Sequence, residues 1–248
     1  MQPDPIDQAR RLVRDRFPGA LAVVLAGSTV SGRAGATSDL DLAVLVPSGG
    51  ETYRETLRFE GRVVELFVHT RAGLRDLFAV DVATRRAVLQ SMYATGLVLV
   101  DVDGEAGRAR ALAEEDLRQG PPALEPDTVE TKRYGLTDAL DDLRDATDPA
   151  ELLFTAGVVV NTAADLLCDH HRAWTGSGKW LPRRLLEADP VRGAALLDAY
   201  TRLAATRDPA ALVEAGTEVL DLAGGPLREG YHRAWQGVID SVAVGVGR

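Results

Sequence analysis

The chain has 248 residues, 46% hydrophobic and 26% charged, with one cysteine. That balance belongs to a soluble globular protein large enough for one big core or two modest ones, and it excludes a disordered chain, an internal disulfide and a cysteine-rich metal site. The formal net charge of -9 argues against gripping nucleic acid, whose affinity for proteins comes largely from cationic groups that neutralise phosphates.

In chain order, Ile6, Ala9, Leu12, Val13 and Phe17 recur at helical spacing, with Arg10, Arg11, Arg14 and Arg16 on the other side. This predicts an amphipathic helix ended by Pro18-Gly19 and packed on a sheet that begins with a strand over Ala20 to Ala26. The start, Met1-Gln2-Pro3-Asp4-Pro5, has neither the basic region nor the apolar stretch of a leader, and no apolar run approaches the length of a membrane span. A cytoplasmic location with no membrane partner is therefore expected.

After the first strand comes Gly27-Ser28, a polar connection with Gly32 and Gly35, and a second apolar run, Asp39-Leu40-Asp41-Leu42-Ala43-Val44-Leu45-Val46. Carboxylates open a strand whose remaining residues are core-like, which breaks the pattern a buried strand should keep. Side chains alternate along a strand, so Asp39 and Asp41 share a face about 6–7 Å apart while Leu40, Leu42 and Val44 face the core. Two like charges held there repel unless a cation sits between them, and hard oxygen ligands suit Mg²⁺. Gly27-Ser28, read as a turn entering a helix, is an expected phosphate site.

Pro47 to Gly50 reads as a turn, and Tyr53 to Phe59 with Arg62 to His69 as a hairpin closed at Glu60-Gly61. Glu65 is a carboxylate in mid-strand among Val, Leu and Phe, and burying it alone would cost several kcal/mol. It needs a partner, and the metal site is the nearest candidate; His69, at the strand end, reads as a surface or hydrogen-bonded residue. Leu74 to Phe78 and Val88 to Tyr93 mark one or two helices, Leu97 to Val100 a last strand, Asp101 to Gly104 a turn and Glu105 to Arg118 a helix. Gln119-Gly120-Pro121-Pro122 is the best linker, so the expected domains are 1–120 and 121–248.

Beyond the linker the strand signals vanish. Helical patterns run over Asp127–Ala146, Ala150–Trp174, Pro182–Ala205, Pro209–Leu222 and Pro226–Val244, with Pro at or near most starts. The expected class is therefore α+β: an N-terminal mixed sheet with flanking helices, then an all-α bundle. Asp138 and Asp142 share one helix face, and Asn161, Asp165 and Asp169 another with Arg172 next on the same side, in the pattern of solvated or cleft-lining stripes. Residues 1–125 carry 15 basic and 18 acidic groups, residues 126–248 carry 13 and 19, so the second half is the more acidic. Trp174-Thr175-Gly176-Ser177-Gly178-Lys179-Trp180 places a cation between aromatics in a small-residue loop.

Gly27-Ser28, ten intervening residues (29 to 38), then Asp39-Leu40-Asp41 between apolar residues resembles the signature of the DNA polymerase beta-type nucleotidyltransferase superfamily. With the helical second half, the chain looks like the aminoglycoside nucleotidyltransferases of that superfamily. The motif match covers residues 23–46; Glu65 falls where the family's third carboxylate lies. The resemblance implies that Asp39 and Asp41 hold Mg²⁺, that Gly27, Ser28 and Ser38 meet the phosphates of ATP or another NTP, and that Glu65 either ligates the metal or deprotonates an acceptor hydroxyl. Arg33 and Lys179 are the candidates for relieving charge on pyrophosphate. It implies as partners a nucleotide and a small hydroxyl-bearing acceptor, and the acidic second half favours a cationic one such as an aminoglycoside. The alternative is an antitoxin-type or regulatory nucleotidyltransferase-like protein acting on a protein partner; those are usually short, whereas this chain has a helical half large enough to bind an acceptor itself.

Overall fold

The computed structural model describes residues 4–32, 35 and 38–234. These fall into two compact units, 1–122 and 123–248.

The first unit opens with α1 (Pro5–Arg16), whose Asp4 carboxylate accepts from the amides of Ile6 at 2.8 Å and Asp7 at 3.1 Å, with Pro5 at the first helical position. A five-stranded sheet follows, β1 (Ala22–Ala26), β2 (Leu40–Leu45), β3 (Tyr53–Phe59), β4 (Arg62–His69) and β5 (Leu97–Asp101), in the order β3-β4-β2-β1-β5. Only β2 and β4 pair in parallel; the others are antiparallel, so the sheet is mixed. Helices α2 (Arg71–Ala83) and α3 (Val88–Thr95) connect β4 to β5, and α4 (Glu105–Gln119) closes the unit.

Both faces of the central strands are covered, so β1 is buried throughout. On one face Val23, Leu25, Leu40, Leu42, Val44, Val64, Leu66 and Val68 pack with Ala9, Leu12 and Val13 of α1. On the other, Val24, Ala26 and Ala43 pack with Leu74, Phe78, Leu89, Met92 and Tyr93 of α2 and α3 and with Ala109 and Ala113 of α4. The alternation that buries Leu40 and Leu42 under α1 turns Asp39 and Asp41 toward the opposite face.

The second unit is helical among its described residues: α5 (Pro126–Asp145), α6 (Pro149–His170), α7 (Leu181–Ala188), α8 (Pro190–Thr206) and α9 (Ala210–Leu222), with a 3-10 turn at Gly178–Trp180. Leu136, Leu140, Leu143, Leu152, Val159, Leu167, Leu196, Leu212 and Leu220 are among its core. By length and composition α6 could cross a membrane, which the sequence expectation had denied to any segment of the chain; half of that stretch is buried inside the bundle.

Three helix expectations are corrected. The second bundle helix stops at His170 rather than Trp174, because Arg172 takes a left-handed conformation (φ 52°) and the Ala173 amide returns to the Cys168 carbonyl at 2.7 Å. The expected helix from Pro182 to Ala205 is two, because Asp189 caps the amides of Val191 and Arg192, both at 3.0 Å, and Pro190 starts α8 afresh. The expected helix from Pro226 is not formed over 226–234, where the backbone is turn and coil; just before it Arg133 draws in the carbonyls of Gly224 and Gly225, at 2.6 and 2.9 Å. The remainder of that expected helix, 235–244, lies outside the described residues.

Candidate active site

The site is built at one end of the sheet by register. Leu40 faces Val64 and Asp41 faces Glu65 across the parallel β2–β4 ladder, while Ala26 faces Asp41 across β1–β2. Directly opposed residues point to the same face, so Asp39, Asp41 and Glu65 emerge together beside the end of β1. One ligand oxygen from each lies within 4.8 Å of the others, and all three residues are partly exposed.

Gly27 makes room for this. It adopts φ +77°, and a Cβ on it would lie 1.9 Å from Asp41 Oδ2. Another residue would be strained in its backbone and would push the Asp41 carboxylate aside. The expectation that the turn after Gly27 enters a helix is not met. Residues 28–32 make a single turn, with the Ser31 amide bonded to the Gly27 carbonyl at 3.2 Å and Gly32 at φ +70°. An anion there would meet turn amides rather than a helix terminus.

The connection is tied back to the strand. Thr29 Oγ1 donates to the Asp39 carbonyl at 3.4 Å, and the Gly35 amide donates to Ser38 Oγ at 2.9 Å. Since Ser38 Oγ accepts that bond, its own proton remains to be donated. Arg62, the first residue of β4, donates to the Ser38 carbonyl at 3.1 Å and to Gln8 Oε1 at 3.0 Å, and Gln8 in turn donates to the Phe59 carbonyl at 2.7 Å. The residue before Asp39 is thus anchored to α1 and to the hairpin turn.

Three like charges this close are costly: at an effective dielectric of about 20, two unit charges near 5 Å repel by about 3–4 kcal/mol. One neighbour offsets part of this. Arg54 of β3 donates through Nη2 to Glu65 Oε2 at 2.6 Å, with its guanidinium 4.9 Å from the centre of the Phe67 ring. Carboxylate oxygens of three residues converging within 4.8 Å are an arrangement that a divalent cation would stabilise. The donors are all hard oxygens, as magnesium or calcium chemistry prefers, so the residues present fit such an ion.

The other expected site residues are placed as follows. Ser28 and Ser38 belong to the connection between β1 and β2, at its two ends. Lys179 lies in the second unit, exposed on the 3-10 turn, and Arg33 lies outside the described residues. His69 is fully buried, with Nε2 at 2.7 Å from the Tyr93 hydroxyl, and burial pulls its pKa down to about 4; it is a core residue.

Arg54, Arg62 and Gln8 were not anticipated. A hairpin closed at Glu60-Gly61 pairs Phe59 with Arg62, hence Thr56 with Glu65 and Arg54 with Phe67. Counting back from that turn was the available signal for Arg54. Gln8 and Arg62 gave none, because their contacts join segments 24 to 54 residues apart.

Residues 6–88 match the nucleotidyltransferase domain family, a segment that contains the three carboxylates, Gly27, Ser28 and Ser38. A nucleotide is the substrate such a domain takes. Among solved structures, a nucleotidyltransferase-like protein from Exiguobacterium sibiricum aligns over 88% of this chain and 74% of its own, at 10% identity and a TM-score of 0.42. A toxin–antitoxin structure with AMP-PNP aligns over 45% of this chain and 85% of that chain, at 20% identity and a TM-score of 0.30. No curated protein matches the chain.

Proposed function

We propose that this chain, whose residues 6–88 are a nucleotidyltransferase domain, moves a nucleoside monophosphate, AMP from ATP, to a hydroxyl of a small acceptor with Mg²⁺ as cofactor. The observation that carries the reading is the convergence of ligand oxygens of Asp39, Asp41 and Glu65 within 4.8 Å, beside a left-handed glycine whose backbone lies against Asp41. Those three carboxylates would hold the cation. When bound, Mg²⁺ supplies charge neutralisation at the phosphates of the nucleotide.

The residues of the chain do the rest. Turn amides after Gly27, the Ser28 hydroxyl and the Ser38 hydroxyl proton orient phosphate oxygens, with Arg33 the cation assigned to pyrophosphate from this unit. The acceptor oxygen forms a bond to the α-phosphorus, the bond from that phosphorus to the bridging oxygen of the β-phosphate breaks, and pyrophosphate leaves. The hydroxyl proton passes to a carboxylate at the site.

A cationic acceptor such as an aminoglycoside completes this reading, but its charge support is narrower than composition suggested. Asp138 is paired with Arg228 at 3.3 Å, Asp165 with Lys132 at 2.6 Å, and Asp169 accepts the Leu124 amide at 2.8 Å. Of the four stripe carboxylates Asp142 is the one exposed without such a partner. A cytoplasmic setting, with its Mg-ATP, belongs to the same reading.

The test is mass spectrometry of products after incubation with Mg-ATP and a panel of aminoglycosides, other small alcohols and candidate proteins. An acceptor heavier by one AMP unit, with pyrophosphate released in equal amount, is the expected result. An adduct only on proteins would favour the antitoxin-type alternative; release of phosphate or ADP in place of pyrophosphate would overturn nucleotide transfer altogether.

A further inference from the structure

We infer that Arg54 is a positioning residue that sets the orientation of Glu65 for cation binding. This rests on the metal-site reading above and adds to it a residue outside the Gly-Ser and Asp-x-Asp pattern. Arg54 and Glu65 are on adjacent antiparallel strands, Arg54 opposite Phe67 and Glu65 opposite Thr56, so the pair is diagonal on one face of the hairpin. The guanidinium is held twice, by the 2.6 Å bond to Glu65 Oε2 and by the Phe67 ring beneath it at 4.9 Å. A planar fork seated on an aromatic ring loses less freedom on forming its hydrogen bond than a lysine would.

Glu65 needs such a restraint. Asp39 and Asp41 have short side chains, one just before β2 and one within it, and Asp41 lies against the Gly27 backbone. Glu65 has one more rotatable bond, and repulsion from the two aspartates would drive its carboxylate outward. The Arg54 bond occupies Oε2 and leaves Oε1, enough for one ligand bond. Carboxylates that ligate metals are commonly held by hydrogen bonds from outside the coordination shell, and losing such a partner typically weakens metal affinity 10–100-fold, in rough terms.

Charge alone predicts the reverse sign. Removing a cation beside the site should strengthen attraction for another cation. Because Arg54 is 61% exposed, solvent screens its charge while leaving its geometric restraint intact. Orientation should therefore outweigh repulsion.

The experiment is Mn²⁺ binding followed by water-proton relaxation, with and without a non-hydrolysable ATP analogue, on the full chain as wild type, Arg54→Ala, Arg54→Lys and Glu65→Gln. Arg54→Ala should bind Mn²⁺ roughly tenfold or more weakly, as loss of an outer-shell partner does. Arg54→Lys should recover part of the loss, since it can donate one bond, and circular dichroism should be unchanged in all variants. In turnover, the metal concentration for half activation should rise in Arg54→Ala while the rate at saturating metal stays near wild type. Equal or tighter Mn²⁺ binding by Arg54→Ala, with Glu65→Gln impaired, would overturn the role of Arg54 and leave the metal site standing. Unimpaired binding by Glu65→Gln would remove Glu65 from the site and overturn both.

Discussion

The first unit contains two carboxylate sites of different kinds. At the start of α4, Glu105 is bonded by Arg71 through Nη2 at 2.7 Å and Nε at 3.0 Å, and again by Arg108: one carboxylate against two guanidiniums. On β4 and at the start of β2 three carboxylates converge, and Arg54 bonds one of them, Glu65. The first is self-sufficient: hydrogen bonds from Arg71 and then Arg108 hold the Glu105 carboxyl well below its usual range, at about 2. It joins the N-terminus of α2 to that of α4 and requires nothing further. In the second, carboxylate oxygens of three residues lie within 4.8 Å of one another, and like charges so close favour a cation among them, whereas at Glu105 the ion pair itself ties two helices together.

The sharpest way to break this contrast is to remove one charge from the three-carboxylate cluster. Asp39→Asn should lower nucleotide transfer by roughly a thousandfold, about 4 kcal/mol of lost transition-state stabilisation. In metal-free buffer its thermal midpoint should stay the same or rise, because the lost charge was repelled by its neighbours. A marked fall in that midpoint by calorimetry would show that Asp39 is a structural group.

Next in size is Gly27→Ala. The added Cβ meets Asp41 Oδ2 and the residue must keep a left-handed backbone, so a stability loss of about 1–3 kcal/mol is expected in denaturant titration, together with weaker metal binding as Asp41 is displaced. Unaltered metal binding would mean that the approach of Asp41 to the glycine is not required by the site.

The smallest effect sharpens the other side. Glu105→Gln should lower the thermal midpoint near neutrality and leave turnover unchanged. The difference from wild type should be full above pH 4.5, the ordinary glutamate value, and disappear as pH falls toward about 2, where the folded-state carboxyl itself takes up a proton. A difference that persists unchanged at low pH would show that packing rather than ionisation is what the glutamate contributes.

How far the site was legible depends on the range of each contact. Asp39 and Asp41 declare themselves because a two-residue period and an apolar flank leave a charge at the wrong place in a core strand. Glu65 was legible for the same reason, its pairing with Asp41 only in part. Parallel strands have no turn to set their register, so that Asp41 lies opposite Glu65, rather than two residues away, was visible only in the folded sheet. The bundle shows the same limit: the α7–α8 break at Asp189-Pro190 carries a local capping signal, but unbroken apolar periodicity across it hid the start.

The amino-acid sequence by itself determined the α+β order of elements, the hairpin and its turn, and the carboxylates at the start of β2. These follow from local rules: alternation along a strand, capping, and the conformational freedom of residues without a Cβ. Only the tertiary structure decided which charges meet. Arg54 reaches Glu65 across the hairpin, Arg62 reaches Ser38 and Gln8 through space, and three of the four acids expected to attract an acceptor find partners elsewhere in their own unit. A residue's charge is written in the chain, but its net effect depends on what stands within a few ångströms, and packing between distant segments settles that.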